Sequence, residues 1–251
     1  MWWTFIVGVI ALAPLGISSL VQSGFQWHWV AIASVCGIFE VIYFSLLQNA
    51  YRSGDVSLIY PMARGTGPTL SVIGAILILG ERPSPLALAG VAIVVAGIAV
   101  ISTAGARGAG RARLKSVLYG LSVGFYISCF TLWDGWAVGT LDLPPVGYYW
   151  MALIGQVVFM TPLALRTKGI TASLKAHPWE AIAIGVLAPA SYMLALTAIQ
   201  LSSVSLVAPA REVSVVLVAL GGAFFFGEKH VVQRVIGSVV VLSGVALLAL
   251  G

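Results

Sequence analysis

The chain has 251 residues, of which 60% are hydrophobic and only 8% are charged, and its mean hydropathy is +1.03. A soluble domain carries about 25% charged residues, so this composition excludes an ordinary soluble protein. The net charge of +5 comes mostly from Lys and Arg in short loops, where they set membrane orientation. It therefore does not indicate binding to nucleic acid.

Apolar segments of about 20 residues follow one another along the chain, and each is long enough to cross about 30 Å of hydrocarbon as a helix. In chain order, the nine segments are 2–21, 29–50, 56–80, 85–103, 116–138, 147–166, 178–199, 204–226 and 232–250. Their hydrophobicity is continuous rather than alternating, which favours helices over membrane strands. The sequence therefore predicts an all-α integral membrane protein, a polytopic bundle of nine transmembrane helices.

Two stretches of the chain are near copies of each other. Residues 56–82 read VSLIYPMARGTGPTLSVIGAILILGER, and residues 204–229 read VSLVAPAREVSVVLVALGGAFFFGEK. The match continues beyond them, because Gly90 and Gly97 recur as Gly237 and Gly244, 147 residues further on. Many secondary transporters are built from two such repeats with opposite orientations in the membrane.

The repeats predict three parts of the chain. We expect a first repeat of four helices at 1–103, a basic linker at 104–115 and a second repeat of five helices at 116–251. The first repeat has no counterpart of helix 116–138. Either the natural protein has nine spans, or a first helix lies upstream of Met1. A unit of five spans is odd, so two such units must be inverted relative to each other.

Three features of the copies identify a family resemblance: a short hydrophilic turn before each copy (Ser53-Gly54-Asp55 and Ser202-Ser203), a helix that opens with Pro, and Gly-Glu-basic before a Gly-rich helix. Over nearly its whole length, the chain resembles the drug/metabolite transporter superfamily, specifically the EamA-type ten-helix branch. The resemblance implies a secondary transporter of small metabolites that works by alternating access around a central cavity. The chain departs from this family in lacking the first helix and in having loop charges that favour an external C-terminus.

Loop charge predicts the orientation. Ten of the 13 basic residues lie in loops on one side, and Arg82 is the one basic residue in the loops on the other. The positive-inside rule places the first side, including linker 104–115, in the cytoplasm. We expect a multi-pass protein of the bacterial inner (plasma) membrane.

Five ionisable residues lie well inside predicted helices: Glu40, Arg64, Asp134, Arg211 and Glu212. Each is costly in hydrocarbon, by roughly 2.5–3.5 kcal/mol, so each should face the protein interior and find a partner. The expected depths allow Glu40 to meet Arg64 near the midplane and Asp134 to meet Arg211 in the outer third. These pairs are either structural or part of a substrate site, in which the Arg residues hold an anionic group.

The charges do not balance, because three acids face two Arg residues. We therefore expect Glu212 to lack a basic partner and to be a candidate for proton coupling, with Glu40 as a second candidate. A helix break at membrane depth is expected next to these residues, either as a packing kink or as the lining of a cavity. The residues that predict the break are Pro61, Gly65, Gly67, Pro68 and Pro209.

Aromatic residues near the charged levels are candidates for a box around an organic or cationic ligand, with lipid-facing packing as the alternative. The substrate-binding candidates among them are Tyr60, Tyr126, Trp133 and Tyr192. Glu81 and Glu228 are expected to be structural residues at helix ends. Cys36 and Cys129 show no metal or redox spacing and are expected to pack as small apolar residues.

The leading functional hypothesis is a secondary active transporter of a small polar metabolite, with proton coupling and export left open. Efflux of cationic or aromatic drugs is the alternative transport function, although two buried Arg residues argue against a purely cationic substrate. A lipid-modifying membrane enzyme or a structural membrane protein is the alternative of a different class. No metal site, cofactor or enzymatic activity is expected. The expected partners are a small-molecule substrate, the lipid bilayer and protons, in a monomer or homodimer.

Overall fold

The computed structural model describes residues 1–53, 56–103, 111–166, 176, 178–217 and 231–250. Its α-helices are α1 (Trp2–Ala11), α2 (Ala13–Gln22), α3 (His28–Ser53), α4 (Val56–Leu77), α5 (Pro85–Thr103), α6 (Arg111–Gly135), α7 (Pro145–Arg166), α8 (Pro178–Leu201), α9 (Val204–Ala210) and α10 (Val231–Leu250). A π-helical turn at Trp136–Thr140 extends α6, and residues 213–217 are also helical. Each of the nine predicted segments coincides with helical residues in this described part. Residues 104–110 of the predicted linker and Glu228 lie outside it.

Four helical segments are individually long and apolar enough to cross a membrane: His28–Arg52, Leu114–Thr140, Pro145–Arg166 and Pro178–Leu201. The pair α1 and α2 qualifies together as a fifth, and Pro85–Ile101 and Val235–Leu250 are shorter apolar helices. Across the described residues there are no strands. The predicted all-α membrane bundle is confirmed.

The first predicted helix, 2–21, is bent rather than straight. It divides into α1 and α2 at Leu12, and the two halves meet at 55°. Pro14 lies in the first turn of α2, where its missing N–H and fixed φ are tolerated, but it cannot continue the hydrogen-bond ladder of α1. The segment 2–21, predicted as one helix, therefore consists of two helices that meet at Leu12.

The described chain forms two compact units, which we call unit 1 and unit 2. Unit 1 comprises Met1–Ile42 and Trp133–Leu201, and unit 2 comprises Tyr43–Leu132 and Ser202–Gly251. Each unit contains residues from both halves of the chain. The boundaries between the units fall within α3 and α6, so each of these helices contributes residues to both units. The two units therefore divide the chain differently from the sequence repeats, and the repeat boundaries stay a prediction.

Small residues and tryptophans hold unit 1 together. A Cβ added at Gly8 on α1 would lie 2.8 Å from the carbonyl oxygen of Gly185 on α8, so these helices approach backbone to backbone. The Trp150 ring of α7 packs over Gly16 of α2, and its indole N–H donates to the Val9 carbonyl oxygen at 3.0 Å. These contacts fix α7 against the bent N-terminal pair.

In unit 2, α5 and α10 form an antiparallel seam around the repeated glycines. A Cβ at Gly90 would lie 2.8 Å from the Gly244 carbonyl oxygen, and one at Gly97 would lie 3.0 Å from that of Gly237. Gly90 and Gly237 are repeat counterparts, as are Gly97 and Gly244, so exchanging the two repeats converts the first contact into the second. This relation is expected for helices of opposite orientation. A buried aliphatic cluster surrounds the seam: Val72, Ala87, Val91, Val94, Ile98, Ile101, Val215, Val216, Val241 and Leu248.

Candidate functional site

The first cluster of polar groups lies in unit 2, where α4 packs against α9. The Nη1 atom of Arg64 lies 3.4 Å from the Oε1 atom of Glu212. The Glu212 side chain is 6% exposed and that of Arg64 is 37% exposed. We predicted that Glu212 would lack a basic partner, and this is wrong, because Arg64 is its partner.

The reason for this error lies in the repeat geometry. The estimated depths suggested that Arg64 would pair with Glu40, whereas α4 packs against α9, its own counterpart in the second repeat. Arg64 corresponds to Arg211 by the 147-residue offset and pairs with the next residue. The position that Glu212 occupies in the second copy is Gly65 in the first, so the copies differ at the carboxylate.

The backbone near Glu212 is irregular. Helix α9 ends at Ala210, and Arg211 and Glu212 form a turn before the helical residues 213–217. The Glu212 amide donates to the Pro209 carbonyl oxygen at 3.1 Å, a bond across three residues instead of four. Non-helical backbone at membrane depth is tolerated where it is buried in protein or lines a cavity.

The first copy behaves differently, since α4 is uninterrupted through Gly65, Gly67 and Pro68, and Pro61 also lies within it. The expected break of the helix at these residues is therefore absent. Two hydroxyls add side-chain bonds to this stretch of the helix: Thr69 donates to the Gly65 carbonyl oxygen at 2.7 Å, and Ser71 donates to that of Gly67 at 2.9 Å.

Tyr60 lies one helical turn before Arg64, and the guanidinium carbon is 5.5 Å from the centre of its ring. This is the geometry of a cation–π contact. On the same helix, a Cβ added at Gly65 would meet no atom of the described residues within 4 Å. Arg64 therefore has an aromatic neighbour and a partly exposed side chain, and the described residues leave room for a side chain at the next position.

The second cluster lies in unit 1 around Asp134, which is fully buried. The hydroxyls of Tyr148 and Tyr192 each donate to one oxygen of this carboxylate at 2.6 Å. These lengths are those of strong bonds to an ionised acceptor. The thiol of Cys36, which we expected to pack as a small apolar residue, is within hydrogen-bonding reach of Asp134 and Tyr148.

Glu40 lies in the same unit and is 3% exposed. Its carboxylate accepts a hydrogen bond from the side-chain amide of Gln156 and contacts the Tyr149 hydroxyl at 3.3 Å. Gly37 brings α3 close enough to α7 for these bonds, because a Cβ there would lie 3.0 Å from the Ala152 carbonyl oxygen. The rings of Tyr149 and Tyr192 stack at 4.5 Å and join the surroundings of Glu40 to those of Asp134.

The remaining predicted aromatic residues contact other groups. The indole N–H of Trp133 donates to the Ile32 carbonyl oxygen at 3.0 Å, and Tyr126 packs edge-on against Phe125. Arg211 is half-buried in the turn after α9. The expected pairs Glu40–Arg64 and Asp134–Arg211 each join residues of different units and stay predictions.

Sequence reasoning missed four residues of the unit 1 cluster: Cys36, Tyr148, Tyr149 and Gln156. A signal for two of them was present, because Tyr149 and Gln156 are seven residues apart and share one face of a helix. Glu81 has the structural role expected of it: its carboxylate accepts from the amides of Val204 and Ser205 at 2.8 and 2.9 Å and caps α9.

Comparisons with known proteins give a family and a fold. The profile of the EamA-like transporter family matches residues 1–103 and 114–250. Among curated proteins, no sequence matches the chain. The crystal structure of another protein aligns with a TM-score of 0.74 over 99% of this chain and 85% of that chain, at 17% identity. At this identity the likeness shows the fold alone.

Proposed function

The chain belongs to the EamA-like transporter family, and we propose that it is a secondary active transporter of a small polar metabolite with an anionic group. The single observation that supports this substrate class is Arg64, a cation inside a membrane helix with 37% of its side chain exposed. A purely structural cation in hydrocarbon would be expected to be enclosed by its partners. Alternating access would expose the site to the two sides of the membrane in turn.

The neighbours of Arg64 suit an anion attached to an organic body. The guanidinium offers several N–H donors in a planar fork that matches a carboxylate or phosphate, and its contact with Glu212 uses one of them. Tyr60 provides an aromatic face, and the unoccupied side of Gly65 leaves room. Arg211 is the counterpart of Arg64 in the second repeat and is proposed as the second group that binds the anion.

Efflux of cationic or aromatic drugs is the second candidate, and a separate observation favours it. Unit 1 buries two carboxylates, Glu40 and Asp134, beside the stacked rings of Tyr149 and Tyr192. Acids next to aromatic faces are the chemistry that recognises an organic cation. We rank this candidate lower because tyrosine hydroxyls and an amide already donate to both acids.

A thermal-shift screen separates the two candidates. Purified protein is heated with monocarboxylates, amino acids and sugar phosphates, and in parallel with quaternary ammonium compounds, since a specific binder raises the melting temperature by mass action. We expect stabilisation by a member of the anionic set, lost in Arg64→Ala and kept in Arg82→Ala. Arg82 is an exposed Arg outside the helices and serves as the matched control. Stabilisation by the quaternary ammonium set alone would overturn the anionic substrate class.

A further inference from the structure

We propose that Glu212 takes up one proton each time an anionic group of the substrate displaces it from Arg64. This inference rests on the proposed function and goes further, since it assigns the coupling step to one ion pair. The exchange consists of one proton transfer. The Glu212 carboxylate accepts a proton from water as the cation of Arg64 turns to the substrate anion, and it releases the proton when the anion leaves.

The first support is the geometry of the pair. A single N–O contact of 3.4 Å joins the two side chains, without the bidentate arrangement of a tight Arg–carboxylate pair. The other carboxylate oxygen, Oε2, is buried and has no hydrogen-bond partner among the described residues. When one oxygen of a buried carboxylate accepts no hydrogen bond, its negative charge is stabilised mainly by the cations next to it. A substrate anion can therefore displace Glu212 from Arg64, and a proton can then neutralise the Glu212 carboxylate.

The second support is the set of charges around Glu212. Two cations interact electrostatically with Glu212: Arg64 on α4, and Arg211, which lies in the same turn as Glu212. The side chains of Tyr60 and Tyr43 interact with Arg64. Helix α5 contains no titratable side chain, and α10 contains Arg234 in its first turn. Engaging Arg64 with another anion therefore removes the closest compensating charge from Glu212.

The third support is the difference between the repeats. The first copy has Gly65 at the position of Glu212, so the carboxylate occurs in one copy only, and the described residues leave room for a side chain at Gly65, the residue after Arg64. An anion that enters this space lies next to the guanidinium. The acid that it displaces lies in a turn between two helical segments, and its backbone bonds span three residues instead of four, as in the bond from the Glu212 amide to the Pro209 carbonyl oxygen.

Charge balance then determines the direction of coupling. The empty site holds an Arg cation and a Glu anion, and the loaded site holds an Arg cation, the substrate anion and a neutral acid. Arg211 contributes the same charge to both states, so for a monoanion the loaded site has the same net charge as the empty one, and loading adds no charge that must cross the low-dielectric barrier. One proton moves with each monoanion in the same direction. An inward proton gradient therefore drives uptake, in contrast to the export left open by the sequence.

Infrared difference spectroscopy tests the exchange without any substrate. Arg64→Gln imitates the displaced state, and the double variant Arg64→Gln/Glu212→Gln is the blank that removes both charges. At neutral pH we expect a protonated carboxyl band in Arg64→Gln that is absent from the blank, and an ionised Glu212 in the wild type. If Glu212 is ionised in both the wild type and Arg64→Gln, or protonated in both, the proposal is overturned.

A transport measurement then separates this inference from the function on which it rests. Proteoliposomes are loaded with the monoanion that gives the largest thermal shift in the screen above. Wild-type exchange of labelled for unlabelled monoanion establishes transport, and its absence contradicts the proposed function.

Glu212→Gln should keep exchange but lose uptake driven by a proton gradient, whereas Asp142→Asn, at an exposed acid, should keep both. Proton-driven uptake by a folded Glu212→Gln protein contradicts the coupling role alone. If Glu212→Gln does not fold, the infrared result decides.

Discussion

Arg64 forms an ion pair with Glu212, the residue that follows its own repeat counterpart Arg211, at a distance of 3.4 Å. Arg64 lies on α4, which opens the first copy of the repeated sequence, and Glu212 lies in the turn directly after α9, which opens the second copy. Helices α4 and α9 pack together in unit 2. The pair therefore links the two copies at the position where their sequences differ. Its role as both an internal contact and a candidate substrate site makes it the residue pair to test first.

Removing Arg64 should cost stability as well as activity. Arg64→Ala leaves the Glu212 carboxylate buried without its partner, which costs about 3 kcal/mol if the acid stays ionised and less if it takes up a proton. We expect a lower melting temperature in detergent at pH 8 and partial recovery at pH 5, where protonation of Glu212 removes the buried charge. Arg82→Ala is the control. A melting temperature equal to that of the wild type at both pH values would contradict this dependence.

The two tyrosine hydroxyls should stabilise the fold through Asp134. Tyr148→Phe and Tyr192→Phe each remove a hydrogen bond to a buried carboxylate and should each lower the free energy of unfolding by about 1.5–3 kcal/mol. Tyr126→Phe, at a ring that packs on Phe125, is the matched control and should have little effect. Equal melting temperatures for all three variants would show that these bonds contribute nothing net.

The glycine seam between α5 and α10 should not tolerate side chains. Gly90→Val places atoms within about 3 Å of the α10 backbone and should destabilise the protein by about 1–3 kcal/mol, since overpacking forces the helices apart. Gly139→Ala is the control, because a Cβ there meets nothing within 4 Å in the described part of the chain. Thermal unfolding of both variants measures the difference. A neutral Gly90→Val variant would refute the close approach of these helices.

The orientation in the membrane can be tested with added cysteines. The ten-to-one asymmetry of loop Lys and Arg predicts that Gly108→Cys faces the cytoplasm and Leu141→Cys faces outward. An impermeant thiol reagent applied to whole cells should label the second variant and not the first, with the wild type as the background for Cys36 and Cys129. The opposite labelling pattern would reverse the predicted topology.

Much of the fold was accessible from the sequence because hydrophobic length and repeat spacing are one-dimensional signals. The bounds of α5 were predicted without error, at 85–103, and Gly90, Gly97, Gly237 and Gly244 marked the seam in advance. The bend at Leu12 was missed because Pro14 was not weighed within an otherwise uniform apolar run. Segment lengths predict where helices lie, whereas local backbone chemistry decides whether they are straight.

The contacts within the site were harder to predict from the sequence, because the pairing of side chains depends on how the helices pack. Depth estimates placed Glu40 and Arg64 at one level, but depth alone does not select which of several acids contacts Arg64. The uninterrupted α4 shows a second limit, since the Gly and Pro residues that predicted a break lie within one continuous helix. Tyr148 and Tyr149 were missed because they lie beside apparent interfacial aromatics, although their hydroxyls reach the buried acids.

Solute exchange in proteoliposomes tests the central claim most directly, with the monoanion of largest thermal shift as the labelled probe. The account predicts saturable exchange by the wild type and by Arg82→Ala, and none above empty liposomes by Arg64→Ala reconstituted in the same folded amount. Exchange by Arg64→Ala at the wild-type rate would contradict the account, because the anion would then be bound without the cation on which the proposed site depends.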